Sequence, residues 1–160
     1  MVKTGAKVKD IDKGFKALQM ALFQEDKKAV DVGYFSGEIF EENGEDLASV
    51  ARQNEFGIPG HIPERSFMRS TYDQNKDQIM KAYTLYFKAE TKGLTTKAFL
   101  KLGALVTGMI KKKIKTAKSW AVPNAPATIA AKTRAGKVGD APLIDTGQMM
   151  NSIDFREAND

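Results

Sequence analysis

Large apolar residues recur along the chain at two periods, and the period changes with position. Ile11, Phe15, Leu18 and Leu22 stand at i, i+4, i+7 and i+11, which places them on one face of a helix over residues 9–24. The stretch AVDVGYF, residues 29–35, alternates instead. Val30, Val32 and Tyr34 fall on one side and Asp31 and Gly33 on the other, the pattern of a half-buried strand. SGEIFEENGED then reads as an acidic turn, and Asp46 is placed to cap a short helix that reaches Asn54 and is ended by the Gly57-Ile58-Pro59-Gly60 turn.

Ser70, with Asp73 three residues on, resembles a capping box in front of a long helix. In that helix Tyr72, Ile79, Tyr83, Tyr86 and Phe87 share a face, and Gly93 ends it. The next helix starts at Thr95 or Thr96 and turns Phe99, Leu102, Val106, Met109 and Ile110 inward, with Gly103 and Gly108 permitting close approach of a neighbour. It closes on KKKIKTAK, cations that suit the negative end of the helix dipole. After Trp120 the pattern lapses. Residues 121–144 contain three Pro, two Gly and few large apolar groups, which predicts a long irregular connection. Residues 146–153 form a short helix capped by Asp145 or Thr146, followed by a last strand over residues 153–156. The expectation is one α+β domain over residues 1–160: a small antiparallel sheet packed with three main helices, and a long irregular C-terminal loop.

Composition narrows the chemistry. The 42% hydrophobic and 28% charged fractions are those of a globular chain, so a real core is expected over 160 residues. With no Cys, disulfides, thiolate metal sites and Cys nucleophiles are excluded, and the single His61 rules out multi-His centres. No Ser, Asp or Glu pattern around His61 matches a hydrolytic motif. Glu41, Glu42, Glu45 and Asp46 lack the spacing of a calcium loop, and KTRAGKVGD lacks that of a phosphate-binding loop. Neither an enzyme nor a cofactor is expected. The positive N-terminus has no apolar segment behind it, and the longest apolar run, residues 102–110, is far below the ~20 residues that cross a bilayer. The expected location is the cytoplasm, with no membrane segment.

Charge is divided along the chain despite a net +5. Residues 24–55 carry nine acids against Lys27, Lys28 and Arg52, whereas residues 91–139 carry eleven bases and no acid. Such a bipolar chain suits contact with DNA, an acidic partner or a copy of itself. In HIPERSFMR, Phe67 faces the core while Arg65 and Arg69, four residues apart, share a helix face and can grip an acidic neighbour or pair with Glu55 or Glu64 of their own chain.

NEFG (residues 54–57), HIPERSFMRSTYDQN soon after, a basic helix reaching Trp120, PATIAAK (residues 126–132) and PLIDTGQMMNSI (residues 142–153) together resemble the tail-completion or neck proteins of tailed bacteriophages. They are similar to the virion morphogenesis proteins of Mu-like phages and to the minor tail protein Z of lambda-like phages, and order and spacing match over roughly residues 28–157. The chain departs from the family's usual pattern at Ser66, where Pro is usual, and at Gln148 and Met149, where a basic residue and Leu are usual.

The resemblance implies a structural virion protein without a reaction, joining the finished tail to the DNA-filled head. Its implied partners are other copies of itself in a ring, the head-tail connector or adaptor and the tail terminator proteins, with nonspecific contact to packaged DNA. The candidate interface is Arg65, Arg69, Lys111, Lys112, Lys113, Lys115, Trp120, Ile129, Lys132, Arg134 and Lys137, facing an acidic surface of Glu38, Glu41, Glu42 and Glu45 on a neighbour. Residues 119–141 are expected to be mobile in the free protein and to order against that neighbour, anchored by Trp120 and Ile129. The alternative is a small basic DNA-binding protein that uses residues 111–118. Salt separates the two: a DNA binder loses affinity steeply as salt rises, and a joint binds DNA weakly or not at all when free.

Overall fold

The computed structural model describes residues 29–35, 37, 39, 44–92, 98–137 and 140–158. The expected helix over residues 9–24, and Glu38, Glu41 and Glu42, lie outside the described residues. A two-stranded antiparallel sheet pairs β1 (Ala29–Gly33) with β2 (Asp154–Ala158), Val32 opposite Phe155 and Asp31 opposite Arg156. Between the strands run α1 (Leu47–Phe56), α2 (Phe67–Thr91), α3 (Ala98–Lys115), a single 3-10 turn (Ala117–Ser119), α4 (Pro126–Arg134) and α5 (Gln148–Asn151). The chain is thus a small α+β fold, as its periodicities predict.

Both ends of α1 have a local cause. Asp46 caps α1, its carboxylate accepting from Ser49 N at 2.9 Å and Ser49 Oγ at 3.0 Å. Gly57 ends α1 at φ 72°, with Glu64 N and Ile62 O within 3 Å of where a Cβ would stand, so no larger residue fits that turn. The core gathers Leu47 and Ala51 of α1, Phe67 of α2, Ile110 and Ile114 of α3, Met149 of α5 and Ile153. Thus α3 sits between the sheet and the remaining helices.

Gly103 is where α3 meets the sheet. A Cβ there would lie 2.6 Å from Val30 Cγ1 and 2.7 Å from Phe155 Cδ2, so the absence of a side chain sets the helix-to-sheet distance. Gly108 differs from the sequence reading: it is exposed, with nothing within 4 Å of its Cβ position. The two glycines therefore give opposite expected outcomes. Gly103→Ala costs about 1–3 kcal/mol by overpacking, and Gly108→Ala gains about 0.5–1 kcal/mol by stiffening the unfolded chain, read as shifts in denaturation midpoint.

Three further expectations are corrected. α2 begins at Phe67, not at Ser70, because a carboxylate from α1 supplies its cap. Its buried line is Phe67, Thr71 and Ile79, while Tyr72 and Tyr83 remain exposed and Tyr83 meets Phe99 edge-on at 6.0 Å. Within the segment expected to be irregular, PATIAAKTR forms α4, started by Pro126 at the first helical position. None of its residues is fully buried, which is why apolar periodicity did not reveal it. Among the described residues no helix is long and apolar enough to cross a membrane.

Candidate functional site

Glu55 occupies the last turn of α1 and is only 4% exposed. An acid at that end of a helix opposes the dipole, so it needs a compensating partner. The Gly57 turn and the Ile58–Ile62 bridge fold the chain back, and Arg65 N donates to Asn54 O at 2.8 Å. This returns the start of α2 to the end of α1. The Glu55 carboxylate then accepts from Met68 N at 2.8 Å, Arg69 N at 2.9 Å, Ser66 Oγ at 3.0 Å and Arg69 Nε at 3.1 Å. Two amides of the first turn of α2, which have no partner within the helix, are thereby satisfied by a side chain remote in sequence.

Arg69 completes this cap. Its guanidinium also donates to Glu64 Oε1 at 2.7 Å and to Glu55 O at 3.0 Å, and stacks 4.5 Å from the centre of the Phe56 ring. The hydrogen bond to Glu55 raises its pKa above the ordinary value. Pairing within the chain is therefore the state of Arg69.

Arg65, 7% exposed, points the other way. Its Nε donates to Val122 O at 2.9 Å, and one terminal nitrogen donates to Pro123 O at 3.3 Å and Asn124 Oδ1 at 3.2 Å. The other terminal nitrogen reaches Asn54 Oδ1 at 3.5 Å. All four acceptors are uncharged, and burial lowers the guanidinium pKa. A planar fork with five donors suits this task, because irregular backbone leaves carbonyls that no helix or sheet satisfies.

The segment after α4 is held in the same manner. Lys132 Nζ donates to Ile144 O at 2.6 Å and Ala141 O at 3.3 Å, and lies 3.5 Å from Asp145 Oδ1. Asp145 also receives Lys137 Nζ at 2.5 Å, so its carboxylate joins two lysines instead of capping α5. Thr146 is the residue turned to α5, its Oγ1 accepting from Gln148 N at 3.3 Å. Between these contacts stands Leu143, buried and at φ 63°, a conformation that a branched residue holds only where its surroundings impose it. A cavity of about 280 Å3 opens among Asn54, His61, Arg65, Thr128, Lys132 and Asp145.

The predicted interface residues consequently do not form one free surface. Arg65, Arg69, Lys132 and Lys137 are engaged within the chain, which corrects their assignment as contacts held open for a partner. Trp120 is half-buried against the core; its Nε1 donates to Lys113 O at 2.9 Å, and Lys113 Nζ sits 4.4 Å above its ring. Lys111 donates to Asn151 O at 3.2 Å. Lys118 pairs with Asp140, holding that carboxyl below the usual range by hydrogen bond and charge. Ile129 is half-buried, and Lys112, Lys115 and Arg134 are exposed. Glu45 is exposed as well.

Ser66 Oγ donates to the Glu55 carboxylate at 3.0 Å, and Gln148 Nε2 donates to Ile39 O at 2.7 Å. Sequence reasoning missed Asn54 and Asn124; it named Glu55 as a partner of the arginines, which Arg69 bears out, but not as the cap of α2, and named Asp145 as a cap but not as a partner of Lys132 and Lys137. A signal existed for Glu55, an acid at the wrong end of a predicted helix just before a Gly-Pro turn. Comparison of the chain with protein-family models, with curated proteins and with solved structures finds no match in any of the three.

Proposed function

We propose that the protein is a structural component of the head-tail junction of a tailed bacteriophage, a neck or tail-completion protein that joins the tail to the DNA-filled head. It acts without a reaction or cofactor, as several copies around the portal axis in contact with the connector and the tail terminator. The observation that carries this reading is the convergence of the phrases on which the resemblance rests. The NEFG–IPERSFMR stretch, PATIAAK and PLIDTG are well separated in sequence, yet Asn54, Arg65, Lys132 and Asp145 from them line one cavity, while Glu55 ties NEFG to IPERSFMR in the adjoining cap.

A surface tied together from three separate segments is preorganised by its own hydrogen bonds, and preorganisation reduces the ordering cost of binding. That is what a joint between two preassembled bodies requires. Removing the gene from the phage that encodes it is expected to give filled heads and complete but separate tails, and adding the purified protein to such a lysate should join them. Joined, infectious particles in its absence would overturn the proposal.

A further inference from the structure

A second surface lies on the far side of α3 from the sheet. α2 and α3 run antiparallel, with Tyr83 beside Phe99 and Lys113 Nζ donating across to Gln74 Oε1 at 3.0 Å, and they leave between them a groove of about 540 Å3. Along α3, Lys101, Ala104, Gly108, Lys112 and Lys115 are all exposed and spaced three or four residues apart, one line on the helix. Ala104, Gly108 and Lys112 line the groove itself, and Gln74, Asn75 and Gln78 form its α2 wall. No carboxylate and no aromatic ring is among the residues lining it. Among the described residues, no carboxylate pairs with Lys101, Lys112 or Lys115.

Ammonium groups with amide and hydroxyl donors beside them are the groups that contact nucleic-acid phosphates. The floor at Gly108 is open, so a backbone can approach the helix closely. Single-strand binders add aromatic platforms for the bases, and this groove has none. A protein partner would be expected to find a large apolar anchor at its centre; Leu105 and Met109, the large apolar residues lining this groove, are half-buried, and what it exposes is Ala104 and Gly108. We infer that the α2–α3 groove binds the phosphate backbone of duplex DNA, with Lys101, Lys112, Lys113 and Lys115 neutralising phosphates and Gln74 and Gln78 donating hydrogen bonds to them. The inference keeps Lys112, Lys113 and Lys115 of the sequence reading, adds Lys101, and sets aside Lys111 and Lys118, whose ammonium groups are turned to Asn151 O and Asp140 outside the groove; the Lys113 ammonium, on Gln74 Oε1, lies within it. It rests on the free chain's own charges and not on the head-tail reading; duplex binding by the free chain would favour the DNA-binding alternative, and its absence would leave the head-tail reading untouched.

The test is fluorescence anisotropy of the purified protein with a labelled duplex over a salt series. Four neutralised phosphates give a slope of log K against log salt of about −3.6, so affinity falls roughly 100-fold between about 50 and about 200 mM salt. The double variant Lys112→Gln/Lys115→Gln should bring the slope to about −1.8. Lys111→Gln/Lys118→Gln, which removes the same net charge, should leave the slope unchanged. Gly108→Glu places a carboxylate where nothing stands in its way and should abolish binding, while circular dichroism shows the helices intact. Equal slope changes for the two lysine pairs, or no binding at low salt, would overturn the inference. So would tighter binding to a single strand of the same sequence, or displacement of the duplex by polyglutamate at equal charge, which would point to an acidic protein instead.

Discussion

Glu55→Ala is expected to lower stability by about 3 kcal/mol, seen as an earlier urea midpoint with an unchanged slope. The substitution removes one buried carboxylate and leaves Met68 N and Arg69 N without their acceptor, and it also releases Ser66 Oγ and the Arg69 guanidinium. An ordinary N-cap replacement costs about 1 kcal/mol, and the larger figure follows from burial, since few waters can reach the freed amides. Glu55→Gln keeps one acceptor oxygen but turns an amide NH2 toward backbone donors, so about half the loss should remain. Hydrogen exchange should quicken first at residues 67–71, the first turn of α2. A loss below about 1 kcal/mol for Glu55→Ala would mean that water replaces the carboxylate and that the cap is not what starts the helix.

Arg65→Ala has the second large effect, again about 3 kcal/mol, through a different part of the molecule. Its guanidinium satisfies Val122 O, Pro123 O and Asn124 Oδ1 and is the link from the loop before α2 to the chain after Trp120. Without it those acceptors lose their donor, while the Asn124 Nδ2 bond to Ala141 O and the Lys132 and Lys137 ties remain. Faster exchange over residues 120–137, with the first turn of α2 still protected, distinguishes this variant from Glu55→Ala. Arg65→Lys should not rescue it, because one ammonium cannot span acceptors that the planar fork reaches together. If exchange over residues 120–137 is the same in Arg65→Ala as in the parent, the clamp is not what holds the segment.

These two side chains also show how far the sequence could be read. Strand β1, the α1 cap at Asp46, the Gly57 stop and the inward face of α3 followed from local pattern, because each depends on residues within a turn or two. The start of α2 did not. Ser70 and Asp73 offered a local capping pattern, and the stronger cap came from Glu55, brought close only after the chain reverses at Gly57. Helix α4 was illegible for a related reason: none of its residues is fully buried, so it leaves no apolar period, and the contacts of its surroundings come from Arg65, Lys132 and Asp145 through carbonyls and charges. The candidate interface suffered most, since a list of bases cannot separate Lys112 and Lys115, which are exposed, from Lys111 and Lys118, which are occupied.

The central claim is a place in a particle, and imaging tests it most directly. Virions assembled with the protein carrying a gold-binding or epitope tag should show label at the head-tail junction of each particle, in several copies around the tail axis. Label along the tail tube, at the tail tip or over the capsid shell would contradict the account, as would virions that contain no label at all.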